Sequence, residues 1–407
     1  MRDTGHAVLL GLLLFVILIA NQTTVYAIPA FARREGMSCQ MCHFRPPELN
    51  EDGRAYLRRG LREEPPGAQS AMDMPANQMP MGGTPTKAPV AATPRPLGEP
   101  LPFQWADYLS VIGHHMYTLQ QGQRPQFDAG IIDVWVAGPL DRHWSGLANP
   151  SFNIEDGGSS VDQAYGQAIT RWNSRFGSAR FGQLLPFAIL LNQGGPSMPL
   201  STPLILSTPA DTGTVWSPTT LVRGVEVGAI NLPRWNAYLG VGQPHLEGAP
   251  DLERHTDLYA SAEYLIDPRG NSITAYGYWG TASFFPGNTQ ENFHRLGVFG
   301  NIFLPKTKIV AGYLQGADQL GTGQTLEDHG AFLQAEQLLS DRWAAYVRYD
   351  HLNRDLSAGG GQTMQGPTLG VSWWAQTQVR LTSEVQVLQV TGERQNRVFT
   401  TEFMWAF

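Results

Sequence analysis

The sequence predicts an all-β fold, a 16-stranded antiparallel transmembrane β-barrel preceded by a small helical segment. Three observations lead there. From about residue 103 apolar and polar residues alternate with period 2, the pattern of half-buried strands. The connections between these strands alternate between short and long, the wiring of a barrel whose turns face one compartment and whose loops face the other. Composition agrees: 44 Gly, 29 Pro, 10% aromatic and only 15% charged residues suit many strands and turns better than helices. The net charge of −7 is spread without a basic block, which argues against a nucleic-acid partner.

Residues 1–27 read as a signal peptide. Arg2 precedes the apolar run Ala7 to Ala20, and Val25-Tyr26-Ala27 supplies a small-x-small cleavage pattern, so the mature chain is expected to begin at Ile28 outside the cytoplasm. The run is too short to span a bilayer comfortably, and no later segment reaches the roughly 20 apolar residues of a transmembrane helix. A membrane-spanning form of this chain is therefore a closed barrel.

Residues 28–63 contain Cys39-Gln40-Met41-Cys42-His43, with the only two cysteines in the chain. Two thiols three residues apart can each bond to a vinyl group of one haem, and the next residue can reach the iron from the proximal side. The spacing predicts one covalently bound c-type haem on Cys39, Cys42 and His43. A disulfide or thioredoxin-like pair leaves His43 unused and lacks a surrounding βαβ pattern. A zinc site needs further ligands at fixed spacing, and the next histidines are His114 and His115. Pro47-Glu48-Leu49-Asn50 is expected to open a short helix that stops at Gly60. Arg54, Arg58 and Arg59 lie near one another on it, as a solvated basic face or as partners for haem propionates. About 35 residues cannot bury a haem alone, so its walls must come from elsewhere in the chain.

Residues 64–102 are a Pro-rich linker of extended character. It carries Met72, Met74, Met79 and Met81, thioethers able to bind Cu(I) or to serve as an axial haem ligand.

Residues 103–407 form the barrel. Strands are expected near 104–118, 129–138, 143–155, 162–174, 176–186, 220–231, 234–243 and 256–267. Eight more are expected near 272–284, 293–304, 307–318, 330–340, 343–353, 366–375, 378–391 and 396–407. In one of these Val379, Leu381, Ser383, Val385 and Val387 share a face, opposite Arg380, Thr382, Glu384 and Gln386. In the last, Phe399, Thr401, Phe403, Trp405 and Phe407 oppose Thr400, Glu402, Met404 and Ala406. Arg348 and Asp350 fall on the polar face as well. Short turns are read at Pro139 to Arg142, Leu232-Pro233, Asp267 to Gly270, Pro305-Lys306, Asp341-Arg342 and Gln376-Thr377. Longer loops lie near 119–128, 187–219, 244–255, 285–292, 319–329 and 354–365. An even strand number puts both barrel ends on the short-turn, periplasmic side. Trp144, Trp172, Trp235, Trp343 and Tyr349 near strand ends suit interfacial girdles. His114 and Met116 share the lumen-facing parity of the first strand, so the distal haem ligand is His114, Met116 or a linker Met.

At Ile28-Pro29-Ala30-Phe31-Ala32-Arg33-Arg34-Glu35-Gly36-Met37-Ser38-Cys39, through Cys42-His43-Phe44, Pro47, Leu49-Asn50 and Gly53-Arg54, the chain resembles the fused outer-membrane cytochrome–porins associated with bacterial iron oxidation. It departs from them at Asp52, where an aromatic is expected, and at Gly60-Leu61, where a Gly-Tyr pair is expected. The resemblance implies a monohaem segment within or against a barrel in the outer membrane, with Cys39, Cys42 and His43 holding the haem. It implies electron transfer from extracellular Fe(II), or another redox partner, to a periplasmic electron carrier. Outward electron transfer to an extracellular acceptor is one alternative, and a channel with a haem-bearing plug or sensor is the alternative from another class. Copper handling by the Met cluster is a third.

Overall fold

The computed structural model describes residues 30–62, apart from 36–38 and 47, and residues 107–406, apart from 156, 173–174, 192–197, 210–215, 233, 246–255, 284–289, 321–322 and 357. The expected signal peptide and the linker with Met72, Met74, Met79 and Met81 lie outside the described residues.

Sixteen strands close into one antiparallel barrel in which each strand pairs with its sequence neighbours. They are β1 Leu109–Gln120, β2 Gln126–Pro139, β3 Trp144–Asn153, β4 Ser159–Trp172, β5 Arg175–Leu184, β6 Leu221–Leu232, β7 Trp235–His245 and β8 Asp257–Leu265. The second half comprises β9 Ser272–Ser283, β10 Gln290–Phe303, β11 Thr307–Gln319, β12 Thr325–Leu338, β13 Trp343–Asp355, β14 Gly361–Gln376, β15 Val379–Val390 and β16 Asn396–Ala406. Closure is made by β16 on β1, with Phe403 opposite His115 and Met404 opposite His114. No sheet edge remains to be satisfied.

The two faces divide as the alternation demands. Val225, Val227, Leu239, Val241, Ile273, Val298, Val347, Leu369, Leu381 and Val385 are exposed on the outside, an apolar surface suited to lipid. Arg180, Glu226, Arg295, Asp318, Arg348, Asp350, Arg380, Glu384 and Glu402 are buried on the inside. Most of these lumen charges pair across or along strands, as Arg180 does with Glu226 at 2.5 Å, Arg295 with Asp318 at 2.6 Å and Arg380 with Glu402 at 2.6 Å. Trp144, Trp235 and Trp343 each open a strand after a short turn and are exposed on the outer face, which makes them a ring at the short-turn end. Tyr349 shares that face but stands six residues further along β13. The side chain of Trp172 lies outside the described residues.

Several strands run further than the sequence pattern indicated. β2, β12 and β14 begin at Gln126, Thr325 and Gly361, inside stretches read as loops. There polar residues and Gly surround single apolar ones such as Phe127, Leu326 and Met364, and the period-2 hydrophobic signal is too short to read although the ladder continues.

Inside the barrel, residues 30–62 form a compact plug. Helix α1 (Ala30–Glu35), a single turn α2 (Cys39–Cys42) and α3 (Glu51–Arg58) are joined by a small two-stranded ladder of His43–Arg45 with Glu48–Leu49. Helix α3 starts one turn later than expected. Asn50 caps it by accepting from the Gly53 amide at 3.0 Å, a role for which Asn is well suited, while Glu48-Leu49 is held extended. The helix stops where expected: Gly60 and Leu61 both have positive φ, 67° and 60°.

Candidate functional site

The Cys39–Cys42 turn places both sulfurs on one helical face, because residues three apart are neighbours on a helix. Cys39 and Cys42 are not joined in a disulfide. Burial pushes the Cys39 thiol above its ordinary range. A redox-active CxxC pair instead needs a thiol made acidic by nearby positive charge, so the environment speaks against the thioredoxin-like reading. No cluster of three or more His, Cys, Asp or Glu side chains able to hold a metal ion occurs among the described residues.

The turn is locked to α3 by backbone contacts. Asn50 donates its amide to the Cys42 carbonyl at 3.0 Å and its Nδ2 to the Met41 carbonyl at 3.1 Å. A Cβ at Gly53 would overlap the Cys42 carbonyl oxygen, so only glycine lets α3 lie this close to the cysteine turn. His43, immediately after the turn, begins the short ladder and pairs with Leu49. Apolar rings stand nearby: Phe44 meets Phe303 edge-on at 6.1 Å, and Trp374 donates its indole N–H to the Pro46 carbonyl at 3.2 Å.

Arg54 and Arg58 are neither a solvated face nor available to a ligand, while Arg59 is the half-buried C-cap residue. Arg58 bonds Glu51 at 2.8 Å and Glu263 on β8 at 2.5 Å. Arg54 bonds Glu51 at 2.7 Å, donates to the Gly270 carbonyl at 2.7 Å and lies 4.0 Å from Glu263. All four side chains of this quartet are at most 5% exposed. Burial works against the Arg58 charge, and Glu263 and Glu51 outweigh it, so its pKa is raised. Asn236 donates to Glu263 at 3.0 Å, and Gln167 caps the end of α3 by donating to the Arg58 carbonyl at 2.9 Å.

The remaining anchors encircle the plug. The Ala30 amide donates to Ser110 on β1 at 2.9 Å, Arg62 to the Trp144 carbonyl at 2.5 Å, and Lys308 on β11 pairs with Glu48. Arg34 ties α1 to the Tyr56 hydroxyl and to the Leu61 carbonyl. Every wall residue in this set lies within about one strand turn-end of a short connection, so the plug closes the short-turn mouth of the barrel.

A second element fills the lumen from the opposite side. The connection between β5 and β6 carries α4 (Phe187–Leu191) and α5 (Leu204–Ser207) and bends inward. Arg180 stacks on Phe187 with its guanidinium 3.5 Å from the ring centroid, and the Phe187 amide donates to Glu226 at 3.2 Å. The Leu200 amide donates to Glu384 at 3.0 Å, the Leu204 amide to Asp350 at 3.1 Å, and Arg348 to the Ser201 hydroxyl at 2.8 Å. The charges of the barrel wall thus serve as caps for an inward loop. That loop meets the plug: Leu57 packs against the cluster containing Phe187, and Phe44 packs against the cluster of Met198, Ala344, Tyr346 and Trp374.

Of the expected distal ligands, His114 does face the lumen. Its Nδ1 is 2.9 Å from Glu402 and its Nε2 3.4 Å from Asp133, so a carboxylate attends each ring nitrogen. It lies four residues beyond Ser110, roughly 13 Å along the strand from that plug contact. Met116 follows it across a bulge between β1 and β2. The buried Met198 was missed by the sequence reading, although the Phe187–Leu191 and Leu204–Ser207 stretches are too apolar for a wholly solvated loop.

These features define a plugged, porin-like barrel of the outer-membrane type. Solved structures share the fold. The loop L8 deletion mutant of OmpT, an outer membrane protein of Vibrio cholerae, matches with a TM-score of 0.57 at 12% identity, over 74% of this chain and 98% of that one. An anion-selective porin from Comamonas acidovorans matches with a TM-score of 0.55 at 14% identity, over 74% of this chain and 98% of that one. At such identities the likeness is one of fold. No protein-family model and no curated protein matches the chain.

Proposed function

We propose that this chain is an outer-membrane electron-transfer protein in which Cys39 and Cys42 attach one c-type haem and His43 is its proximal ligand. The observation that carries this reading is the placement of Cys39, Cys42 and the adjoining His43 on a lumen plug whose next residues, Phe44 and Pro46, meet Phe303 and Trp374 of the barrel wall. The residues fit the group: paired thiols on one face, an imidazole in the next position, and apolar rings to keep water away.

A haem bound there supplies a one-electron Fe(III)/Fe(II) couple. The chain's residues do the rest. The quartet of Arg54, Arg58, Glu51 and Glu263 fixes α3 and, through Gly53 and Asn50, the cysteine turn. The inward loop separates the plug from the outer rim and keeps the lumen from being an open aqueous path. The plug's position at the short-turn mouth favours electron exchange with a soluble periplasmic carrier. On the other rim the described residues Glu155, Glu327, Asp355 and Glu393 are exposed carboxylates. Carboxylates exposed at that rim offer hard oxygen donors to an extracellular cation such as Fe(II). The resemblance to iron-oxidising cytochrome–porins points the same way.

The test is Fe(II)-dependent haem reduction in proteoliposomes with the long-loop face exposed. A c-type spectrum that Fe(II) reduces is expected. Absence of covalently bound haem removes the cytochrome reading, and an intact haem that Fe(II) leaves oxidised removes the iron reading. A channel with a haem-bearing plug is the second reading, motivated by the fold shared with an anion-selective porin; large open conductance of the untreated protein in a planar bilayer would favour it.

A further inference from the structure

We propose that the short-turn rim of the barrel is a docking surface for a small, acidic, soluble electron-transfer protein. This rests on the electron-transfer reading of the plug and adds to it where the partner binds and what its charge must be.

The short connections repeat one chemical pattern. Asp141-Arg142, Pro233-Arg234, Asp267-Pro268-Arg269, Pro305-Lys306 and Asp341-Arg342 each set a turn-forming residue just before a cation. Arg142, Arg234, Arg269, Lys306 and Arg342 are all exposed, as is Arg175 at the start of β5. Against these six stand Asp141, Asp267 and Asp341. Two of the three are turned back into their own turns: Asp141 accepts from the His143 and Trp144 amides at 2.7 and 2.8 Å, and Asp267 from the Arg269 amide at 2.9 Å and the Asn271 side chain at 2.6 Å. The cations are left projecting as a collar. Among the described residues of the opposite rim, exposed carboxylates (Glu155, Glu327, Asp355, Glu393) match exposed cations (Arg124, Arg223, Arg394, Arg397) in number, so the basic excess belongs to this end.

The collar surrounds the mouth closed by the plug, and Met41, between the two cysteines, is 48% exposed there. Arg45, 3.8 Å from Asp341, and Arg62, on the Trp144 carbonyl, add positive charge on the plug itself. Bilayer lipid can reach the outside of the rim beyond the tryptophan ring, but not the plug. Electron-transfer encounters use small interfaces and depend on long-range charge steering for speed, which is what a collar of single cations supplies.

The experiment uses the purified full-length protein and two small soluble c-type cytochromes of similar potential, one acidic and one basic. Binding is read by surface plasmon resonance, which requires no haem in the barrel, and electron transfer by stopped flow. The acidic cytochrome should bind at low salt and lose tenfold or more in association rate between 0.02 and 0.5 M salt, as the screening length shortens. The basic one should not bind. In the fourfold variant Arg142→Gln, Arg269→Gln, Lys306→Gln, Arg342→Gln the salt dependence should flatten and low-salt binding fall at least fivefold. Equal binding of both cytochromes, or an unchanged fourfold variant, overturns the proposal. So does a variant that loses retention on vesicles containing anionic phospholipid while keeping the cytochrome rate, since the collar then serves lipid. Salt-sensitive binding by a protein without haem leaves the docking surface standing and removes the electron-transfer reading beneath it.

Discussion

Glu263→Gln is the sharpest test of how the plug is held. The substitution keeps the shape of the side chain and removes the charge that faces Arg58 at 2.5 Å and Arg54 at 4.0 Å. Two guanidiniums then share Glu51 alone, at sites 1% and 3% exposed. Breaking a buried pair by removing one partner costs about 3–5 kcal/mol, because the other charge is left uncompensated. At about 1.4 kcal/mol per factor of ten, the ratio of docked to undocked plug falls by between roughly two and four powers of ten. The assay is single-channel conductance in a planar bilayer: the parent should be silent, and Glu263→Gln should show openings as the plug leaves the short-turn mouth. Adding Arg58→Met restores charge balance around Arg54 and Glu51 and should recover part of the loss, a coupling of about 0.5–3 kcal/mol. A folded Glu263→Gln barrel as silent as the parent would refute the quartet as the main anchor.

Other consequences are simpler to test. Gly53→Ala pushes a methyl into the Cys42 carbonyl; overpacking of this kind costs about 1–3 kcal/mol, and a smaller fraction of the chain should carry covalent haem on a haem-stained gel. Because burial raises the Cys39 thiol, alkylation of the haem-free protein should be slower at Cys39 than for an ordinary cysteine until pH exceeds the usual thiol range; rapid labelling at neutral pH would contradict the burial. The His143 and Trp144 amides hold the Asp141 carboxyl below the usual carboxylate range. Its folded pKa is depressed, so its support for the turn is present at neutral pH and is lost as pH falls through that depressed value; hydrogen exchange at His143 and Trp144 should rise in strong acid and not before. Val347→Arg places a charge on the outer face in mid-strand and should cost about 2–4 kcal/mol near the bilayer midplane, seen as reduced folding into vesicles in a urea titration.

The barrel was legible because lipid on one side and charge on the other force a period of two onto every spanning residue. Where that constraint ends, as at Gly361 to Gly366 of β14, the strand continues unseen. The inward loop left a trace in its apolar stretches but no partner. Partners are the general gap: the parity of His114 placed it in the lumen, yet nothing local reveals Glu402, 288 residues away. Arg58 likewise gives no sign of Glu263 at a separation of 205, and so its helical face looked solvent-exposed. The cysteine motif was readable for the opposite reason, since all of its parts lie within five residues.

The pairing of Glu263 with Arg58 and of Lys308 with Glu48 also bears on biogenesis. Glu263 carries a charge that Arg54 and Arg58 of the plug neutralise, so a barrel that zips shut around an empty mouth buries it unanswered, whereas Lys308 keeps the wall carboxylate Glu336 opposite it. The order of events is thus written into the wall: strands that assemble around the N-terminal segment can settle, and a barrel closed without it cannot.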